Sequence, residues 1–474
     1  MEQLVLNLPS LDVGTKSFHV WQTMAWIPVL GPAIGLCVFG DGRFRTPVRR
    51  RLATALTERR SPAMQRQGPS GTVIGDTQST MRLVNYFFAA SLAMAGLASA
   101  FPGMDKTLAE LQKRQSDLSN SLIGDLETLA DKDLTPTGRA VRDILTGKAE
   151  GFDLSSQAKK VPSKTSTECA KDKCCIWKYI ADEMRDAMVG TAGRCNNFAR
   201  AAVRLGFHDA GTWAKGNGAK GGADGSIILA GECESRKSNS GLHEICDLVR
   251  TWHGKYKDYG VGMADLVQLS AIVGTVACPL GPRVRFFVGR KDSSDPAPEG
   301  LLPSPKADAD KLIELFANKT ISAAGLVALL GSHTVSQQRF FQTDRALDPQ
   351  DSTPGVWDNL YFKETLSSKA PPRLVKFPSD VNLANDARTR PMFEAYGNSL
   401  KGQITWSQAY AREYVRLSLL GVYNINALTE CTRVLPNFMG SFDNVDKAKM
   451  DEFAAGELDS ARVALMNGDV IPDL

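Results

Sequence analysis

Histidine is scarce. The 474 residues hold five: His19, His208, His243, His253 and His333. Imidazole chemistry therefore has few places to sit. Long alternating strands are missing and no segment repeats, which leaves short helical patterns as the dominant signal. Charge of one sign is also missing from most of the chain. Ten of the 56 Lys/Arg and five of the 52 Asp/Glu fall in residues 1–100, so the remainder is near neutral. A neutral body gives no electrostatic footprint for nucleic acid. With 43% hydrophobic and 23% charged residues, the composition excludes a collagen, a largely disordered chain and a polytopic membrane protein.

Cysteine is present, but unevenly. Cys37 lies alone. The other eight are Cys169, Cys174, Cys175, Cys195, Cys233, Cys246, Cys278 and Cys431. An even set in one domain points to disulfides and an oxidising compartment; the alternative is a scatter of buried thiols. Residues 81–100 read as a secretory signal peptide: Met81-Arg82, an apolar run from Leu83 to Leu97, then Ala98-Ser99-Ala100 before Phe101-Pro102. A signal starting at 81 makes residues 1–80 a non-native or unused extension. That extension has an uncharged run, Val20 to Gly40, interrupted by Pro28 and Pro32 and followed by five arginines. A membrane anchor there would hold the following chain in the cytoplasm, against the reading of eight paired cysteines. The mature protein is expected to be extracellular, monomeric and free of membrane.

Residues 101–168 lack cysteine. Leu108, Leu111, Leu118, Leu122, Leu126 and Leu129 recur at helical intervals and predict an amphipathic helix. Lys113-Arg114 is a dibasic pair, and Ser155 to Ser166 reads as a linker, so the segment looks propeptide-like. Residues 169–440 form the expected main domain, with helices predicted at Cys175–Met188, Asn197–His208, Met263–Ala277, Asp308–Phe316, Ser322–Leu330, Phe393–Leu400 and Thr405–Leu420. Residues 441–474 are expected to be a polar tail with one helix, Lys447–Met466.

Two histidines have unusual surroundings. In Arg204-Leu-Gly-Phe-His208-Asp209, Arg204 and His208 are four apart and share a helix face. The imidazole can take and return a proton while the guanidinium keeps its charge. That pair suits heterolysis of a peroxide, with Arg204 stabilising the developing negative charge. In Leu329-Leu-Gly-Ser-His333-Thr334, a neutral imidazole can serve as an axial iron ligand. Such a ligand needs an acceptor on its other nitrogen, and Asp380 is the candidate.

An oxygen-rich cluster follows each histidine. The first is Asp209 with Gly222, Asp224 and Ser226; the second is Thr334 with Asp351, Thr353, Val356 and Asp358. Carboxylate, hydroxyl and carbonyl oxygens on Gly-containing loops suit calcium. The same residues also form plain turns. Two such loops, each beside a key histidine, favour two calcium ions.

These segments together resemble the fungal secreted haem peroxidases of the plant-type superfamily, class II: the lignin, manganese and versatile peroxidases. The resemblance covers about residues 169–440. It includes the distal-helix, calcium-loop and proximal-helix motifs above, and the mid-chain run from Val288-Gly-Arg290 to Asp295-Pro-Ala-Pro-Glu-Gly-Leu-Leu-Pro. It implies a mainly α, two-lobed fold with little β structure around haem b. It further implies Asn239 as the hydrogen-bond partner of His208, with Glu234 the nearest match to the glutamate of that network. It suggests the disulfides Cys169–Cys175, Cys174–Cys431 and Cys195–Cys278, and leaves Cys233–Cys246 as a pair peculiar to this chain.

The departures from the family narrow the electron donor. Where manganese-oxidising members carry three carboxylates, this chain has Asn197, Ala201 and Arg339. Where the lignin type carries a surface tryptophan, it has Ala328. The expected function is oxidation of phenols and dyes at the haem edge with hydrogen peroxide, with a possible place in lignin or aromatic breakdown. Trp213, Trp252, Trp357 and Trp406 are read as packing residues. The alternative is a calcium-stabilised secreted binding protein without activity; the presence of the iron-chemistry residues argues against it. Asn318-Lys-Thr320 is a glycosylation sequon.

Overall fold

The computed structural model describes residues 118–153 and 160–473. The expected signal peptide, the apolar run Val20 to Gly40, the first leucines of the 108–129 pattern and Lys113-Arg114 lie outside the described residues.

The domain is built on one helix that has no polar face. Helix α5 (Met263–Ala277) has every residue buried. A helix buried on every side must be wrapped by others, and its few polar side chains find partners inside, as Asp265 does in Arg290 at 2.9 Å. We number the longer helices α1 (Pro136–Leu145), α2 (Cys175–Met188), α3 (Asn197–Ala210), α4 (His243–Tyr256), then α5, α6 (Ala309–Ala317), α7 (Ala323–Leu330), α8 (Leu360–Leu366), α9 (Pro378–Asn385), α10 (Arg390–Tyr396), α11 (Ser399–Leu417), α12 (Lys447–Ala455) and α13 (Ala461–Asn467). Helices α2, α3 and α4 pack against α5, while α7, α10 and α1 pack against α11. Strand structure among the described residues is two residues long on each side: Phe287–Val288 pairs antiparallel with Thr429–Glu430. The architecture is mainly α, as the sequence predicts.

Local chemistry sets the helix starts. Asn196 caps α3 by accepting from Phe198 N (2.9 Å) and Ala199 N (3.3 Å). Ser322 caps α7 through Gly325 N at 3.1 Å. Each side-chain oxygen satisfies backbone donors that the first helical turn leaves orphaned.

Four disulfides are present: Cys169–Cys175, Cys174–Cys431, Cys195–Cys278 and Cys233–Cys246. Cys174–Cys431 joins the start of α2 to the second short strand across 257 residues.

Several local expectations are corrected. The leucine pattern does not continue as one helix through 118–129. Gly124 sits at φ +60°, and a β-carbon there would lie 2.1 Å from the Val422 carbonyl oxygen. The chain therefore turns, and a single 3₁₀ turn (Gly124–Glu127) buries Leu126 in the main core. Val141, Ile144 and Leu145 of α1 join the same core. Asp125 accepts from Ile425 N and Asn426 N. Residues 118–145 are thus part of the packed domain. The helix predicted at Phe393–Leu400 is split: α10 closes at Gly397, and α11 begins at Ser399, earlier than the expected Thr405. The C-terminal segment has two helices, α12 and α13, because Gly456 closes α12 at φ +92°. They hold a small core of Met450, Phe453, Leu458, Ala461, Leu465 and Ile471. The buried pair Arg194–Asp446 ties this segment to the residues before α3.

Candidate active site

Each key histidine follows a glycine by two residues, and in both cases the space demands it. A β-carbon on Gly206 would come within 2.5 Å of the Tyr414 hydroxyl and 2.6 Å of the Ala271 β-carbon. One on Gly331 would come within 2.4 Å of the Trp406 indole nitrogen. Glycine lets α3 lie close to α5 and α11. It also lets the 3₁₀ turn Gly331–Val335, which continues α7, lie against Trp406.

On the distal helix α3, Arg204 Nε lies 3.2 Å from His208 Nε2. The guanidinium is held by two carbonyls, Ser240 O at 2.8 Å and Ser238 O at 3.0 Å. His208 Nδ1 lies 2.9 Å from Asn239 Oδ1. Asn239 Nδ2 donates to Glu232 O at 2.9 Å, which orients the amide with its oxygen toward the imidazole. Nδ1 therefore carries the hydrogen, and Nε2 presents a lone pair. Burial, with Arg204 beside it, pushes His208 down to about 3. The ring is a neutral base at ordinary pH. Burial also draws Arg204 down to about 10, which leaves it charged.

The glutamate of this network is Glu232, not the expected Glu234. The short helix Glu232–Ser235 turns Glu232 inward, where its carboxylate accepts from Ala297 N at 2.7 Å and pairs with Arg236 at 2.7 Å. Glu234 points outward and pairs with Arg250 at 2.8 Å.

On the proximal side, His333 Nδ1 lies 2.9 Å from Asp380 Oδ2. The imidazole is 31% exposed while Asp380 is 1% exposed. Tyr361 and Phe377 stand edge-on to the ring at 5.9 and 5.8 Å. Nδ1 is committed to a carboxylate, so Nε2 is the free donor atom. That arrangement fits an axial haem ligand, whose second nitrogen needs a fixed acceptor. Sequence reading missed Gln350 and Tyr361, which also bond Asp380, at 3.0 and 2.9 Å. Both lie far from Asp380 in the chain, and no local spacing links them.

The oxygen clusters are also assembled. Asp209 is buried and accepts from Gly225 N (3.1 Å) and Ile227 N (3.3 Å), beside Asp224. Burial and Asp224 hold Asp209 well above the usual carboxylate range. Gly222 adopts φ +104° in this loop, and Ser226 N donates to Asp224 Oδ1 at 3.0 Å. In the second cluster Thr334 Oγ1 donates to Asp351 and lies 3.5 Å from Val356 O. Thr353 N donates to Asp351 Oδ1 at 3.0 Å. Burial and the neighbouring Asp358 hold Asp351 high, and burial pushes Asp358 up to about 6. Glu364, which accepts from Ser352, adds a further negative charge that the sequence reading did not include. No cluster of three or more His, Cys, Asp or Glu placed to hold a metal occurs among the described residues.

At the positions of the manganese carboxylates, Arg339 donates to Asn197 Oδ1 at 2.9 Å. Beneath them Arg200 is buried and bonded to the carbonyls of Cys195, Leu465 and Met466. Ala328 is buried, and Trp406 donates to its carbonyl at 2.9 Å. Trp213, Trp252, Trp357 and Trp406 are all buried.

Residues 181–399 match the family model for peroxidase. The chain is 30% identical over 289 residues to a peroxidase of Arthromyces ramosus, covering 56% of this chain and 77% of that protein. It is 30% identical to ligninase C of Trametes versicolor, covering 57% of this chain and 77% of the relative. A versatile peroxidase of Pleurotus eryngii is 29% identical, covering 59% of this chain and 79% of the relative. The chain belongs to the fungal class II peroxidases. It is a peroxidase, and its family implies a haem cofactor. The matched span runs from α2 into α11, so it contains Arg204, His208, Asn239, His333 and Asp380. It leaves out the packed residues 118–145 and the C-terminal pair α12 and α13.

Proposed function

We propose that this peroxidase acts outside the cell, holds haem b on His333 and oxidises phenols and small aromatic dyes with hydrogen peroxide. One observation carries the reading: two imidazoles have opposite Nδ1 partners, an amide for His208 and a carboxylate for His333. When bound, haem supplies a redox-active iron to peroxide. His208 Nε2 takes the proton from one peroxide oxygen and hands it to the other. Arg204 offers its charge to the oxygen that becomes negative. Asn239 keeps the hydrogen on Nδ1, so that Nε2 remains the base.

Two calcium ions are proposed, one at Asp209, Gly222, Asp224 and Ser226, the other at Thr334, Asp351, Thr353, Val356 and Asp358. Adjacent buried carboxylates support this reading, since like charges out of water need a cation or a proton. Eight half-cystines support an oxidising, extracellular setting. Asn318 is exposed at the end of α6, as a glycosylation site requires.

The donor class follows from what stands near the distal site. Phe340 is 59% exposed. A side chain at Gly241 would meet the Phe340 ring at 2.6 Å and the Arg204 guanidinium at 3.6 Å, so an open aromatic face lies beside the distal arginine. Such a face stacks on aromatic rings. Manganous ion is disfavoured because Arg339 and Asn197 replace hard oxygen ligands. An absorption spectrum of purified protein before and after peroxide tests the reading. A haem band that shifts with peroxide and returns when a phenol is added supports it; a protein without haem, or a band inert to peroxide, refutes it.

A further inference from the structure

Asp380 is a crowded carboxylate. Its Oδ2 accepts from His333 Nδ1 at 2.9 Å, from Gln350 Nε2 at 3.0 Å and from the Tyr361 hydroxyl at 2.9 Å. Its Oδ1 accepts from Ser379 Oγ at 2.8 Å. Among the described residues its ion pair is with His333, and no Lys or Arg pairs with it. The extra donors are fixed in place. Ser336 Oγ donates to Gln350 Oε1, which turns the amide nitrogen toward Asp380. Gln350 Nε2 also lies 3.3 Å from His333 Nδ1, but that is a donor against a donor once Nδ1 holds its hydrogen. Tyr361 is buried on α8, packed edge-on against Phe362 at 5.3 Å, and its hydroxyl also hydrogen-bonds the Thr365 side chain.

The physical consequence concerns electron density. A carboxylate that accepts one hydrogen bond pulls hard on the Nδ1–H of its imidazole and makes the ring electron-rich. A carboxylate that accepts four shares its charge among them and pulls less. Hydrogen bonds from neutral donors to a carboxylate are charge-assisted and stronger than neutral–neutral ones. Tyr361 and Gln350 therefore compete with His333 for the same oxygen. Such outer partners tune a ligand's basicity and hence the potential of the metal it holds.

We propose that Tyr361 and Gln350 are positioning residues that weaken the pull of Asp380 on His333, so that the bound iron has a higher reduction potential than His333 and Asp380 alone would give it. This rests on the haem-peroxidase reading above. It gives the chain a stronger oxidant at the haem edge, in a protein that has Ala328 where a surface tryptophan would stand.

The test is the ferric-to-ferrous reduction potential of the holoenzyme, measured by spectroelectrochemistry for the native protein, Tyr361→Phe, Gln350→Met and Asp380→Asn. Removing either donor should lower the potential, with the ferrous share of the equilibrium falling about tenfold, or about 59 mV for a one-electron couple. Asp380→Asn should raise it, because the pull is then gone. The iron–His333 stretching band of the ferrous enzyme should rise in the first two variants and fall in the third. A merely structural role for Tyr361 or Gln350 predicts no such ordered, opposite shifts. A potential that stays put or rises in Tyr361→Phe and Gln350→Met overturns the proposal; an unmoved potential in one variant removes that residue from it. If Tyr361→Phe fails to fold, Gln350→Met carries the test. A protein that takes up no haem, or whose iron spectrum is unchanged in His333→Ala, fails the peroxidase reading first, and the proposal falls with it.

Discussion

In the proposed function the distal and proximal sites use the same side chain for opposite tasks. His208 has an amide on Nδ1, and His333 has a carboxylate. The amide fixes a tautomer without adding charge, while burial and Arg204 keep His208 neutral, so its Nε2 can act as a base. The carboxylate adds electron density, so the Nε2 of His333 can act as a ligand. The partner of the far nitrogen, more than the histidine itself, assigns the role.

The most drastic way to probe this difference is to delete each ring. His333→Ala should abolish retention of haem iron in its native ligation, seen as loss of the haem band after gel filtration. His208→Ala should keep haem but slow the reaction with peroxide by about 10²–10⁴-fold, the usual contribution of a positioned base. Stopped-flow mixing checks this. Equal losses in the two variants would erase the distinction between the sites.

A smaller effect concerns the clusters that follow each histidine. Chelation should lower the melting temperature, and more so at high pH. The buried Asp209 and Asp351 and the partly buried Asp358 are held above their ordinary range, Asp358 at about 6. Without a cation, these groups stabilise the fold when protonated. For Asp358 that contribution is present below about pH 4 and is lost as pH rises through about 6; Asp209 and Asp351 act in the same direction. Thermal scans with and without chelator at pH 5 and pH 8 should show the larger loss at pH 8. An equal loss at both would argue against cations on these carboxylates.

The smallest effects fall on the donor. Phe340→Ala should raise KM for a phenol a few-fold and leave the peroxide step unchanged, since the ring meets donors rather than peroxide. Saturable oxidation of manganous ion by the native enzyme would show that Asn197, Ala201 and Arg339 do not mark the loss of that site. Efficient oxidation of a non-phenolic ether would show that another aromatic replaces the relay absent at Ala328.

Much of this was legible in the sequence where the signal is local. Arg204 and His208 sit one helical turn apart, and the helices around them follow apolar periodicity. The mainly α fold follows from the same periodicity. Asn239 came from resemblance, because a contact across 31 residues leaves no spacing to read; Asp380 came from the need of a ligating imidazole for an acceptor, 47 residues away, on its other nitrogen. Glu234 was taken in place of Glu232 because a two-residue shift inside a one-turn helix decides which main-chain carbonyl meets Asn239. The leucines before residue 130 kept their burial at Leu126 but not their helix, since the close approach of Gly124 to Val422 is a tertiary constraint. Gln350 and Tyr361 were invisible for the same reason: their meaning lies in the carboxylate they share.

The roles of the two imidazoles separate most sharply in the rate of the peroxide reaction as a function of pH, in the native enzyme and in Asn239→Asp. With His208 pushed down to about 3 by burial and Arg204, the native base stays neutral through mild acid. The rate should hold nearly level from pH 7 down to about pH 4 and fall only below that. Giving His208 a carboxylate partner should favour its protonated form, so the acid limb in Asn239→Asp should move up toward the ordinary range of about 6.5. A native rate that already falls below pH 6.5, or an acid limb that does not move in Asn239→Asp, would mean that His208 is not a base kept neutral by burial, Arg204 and an amide partner.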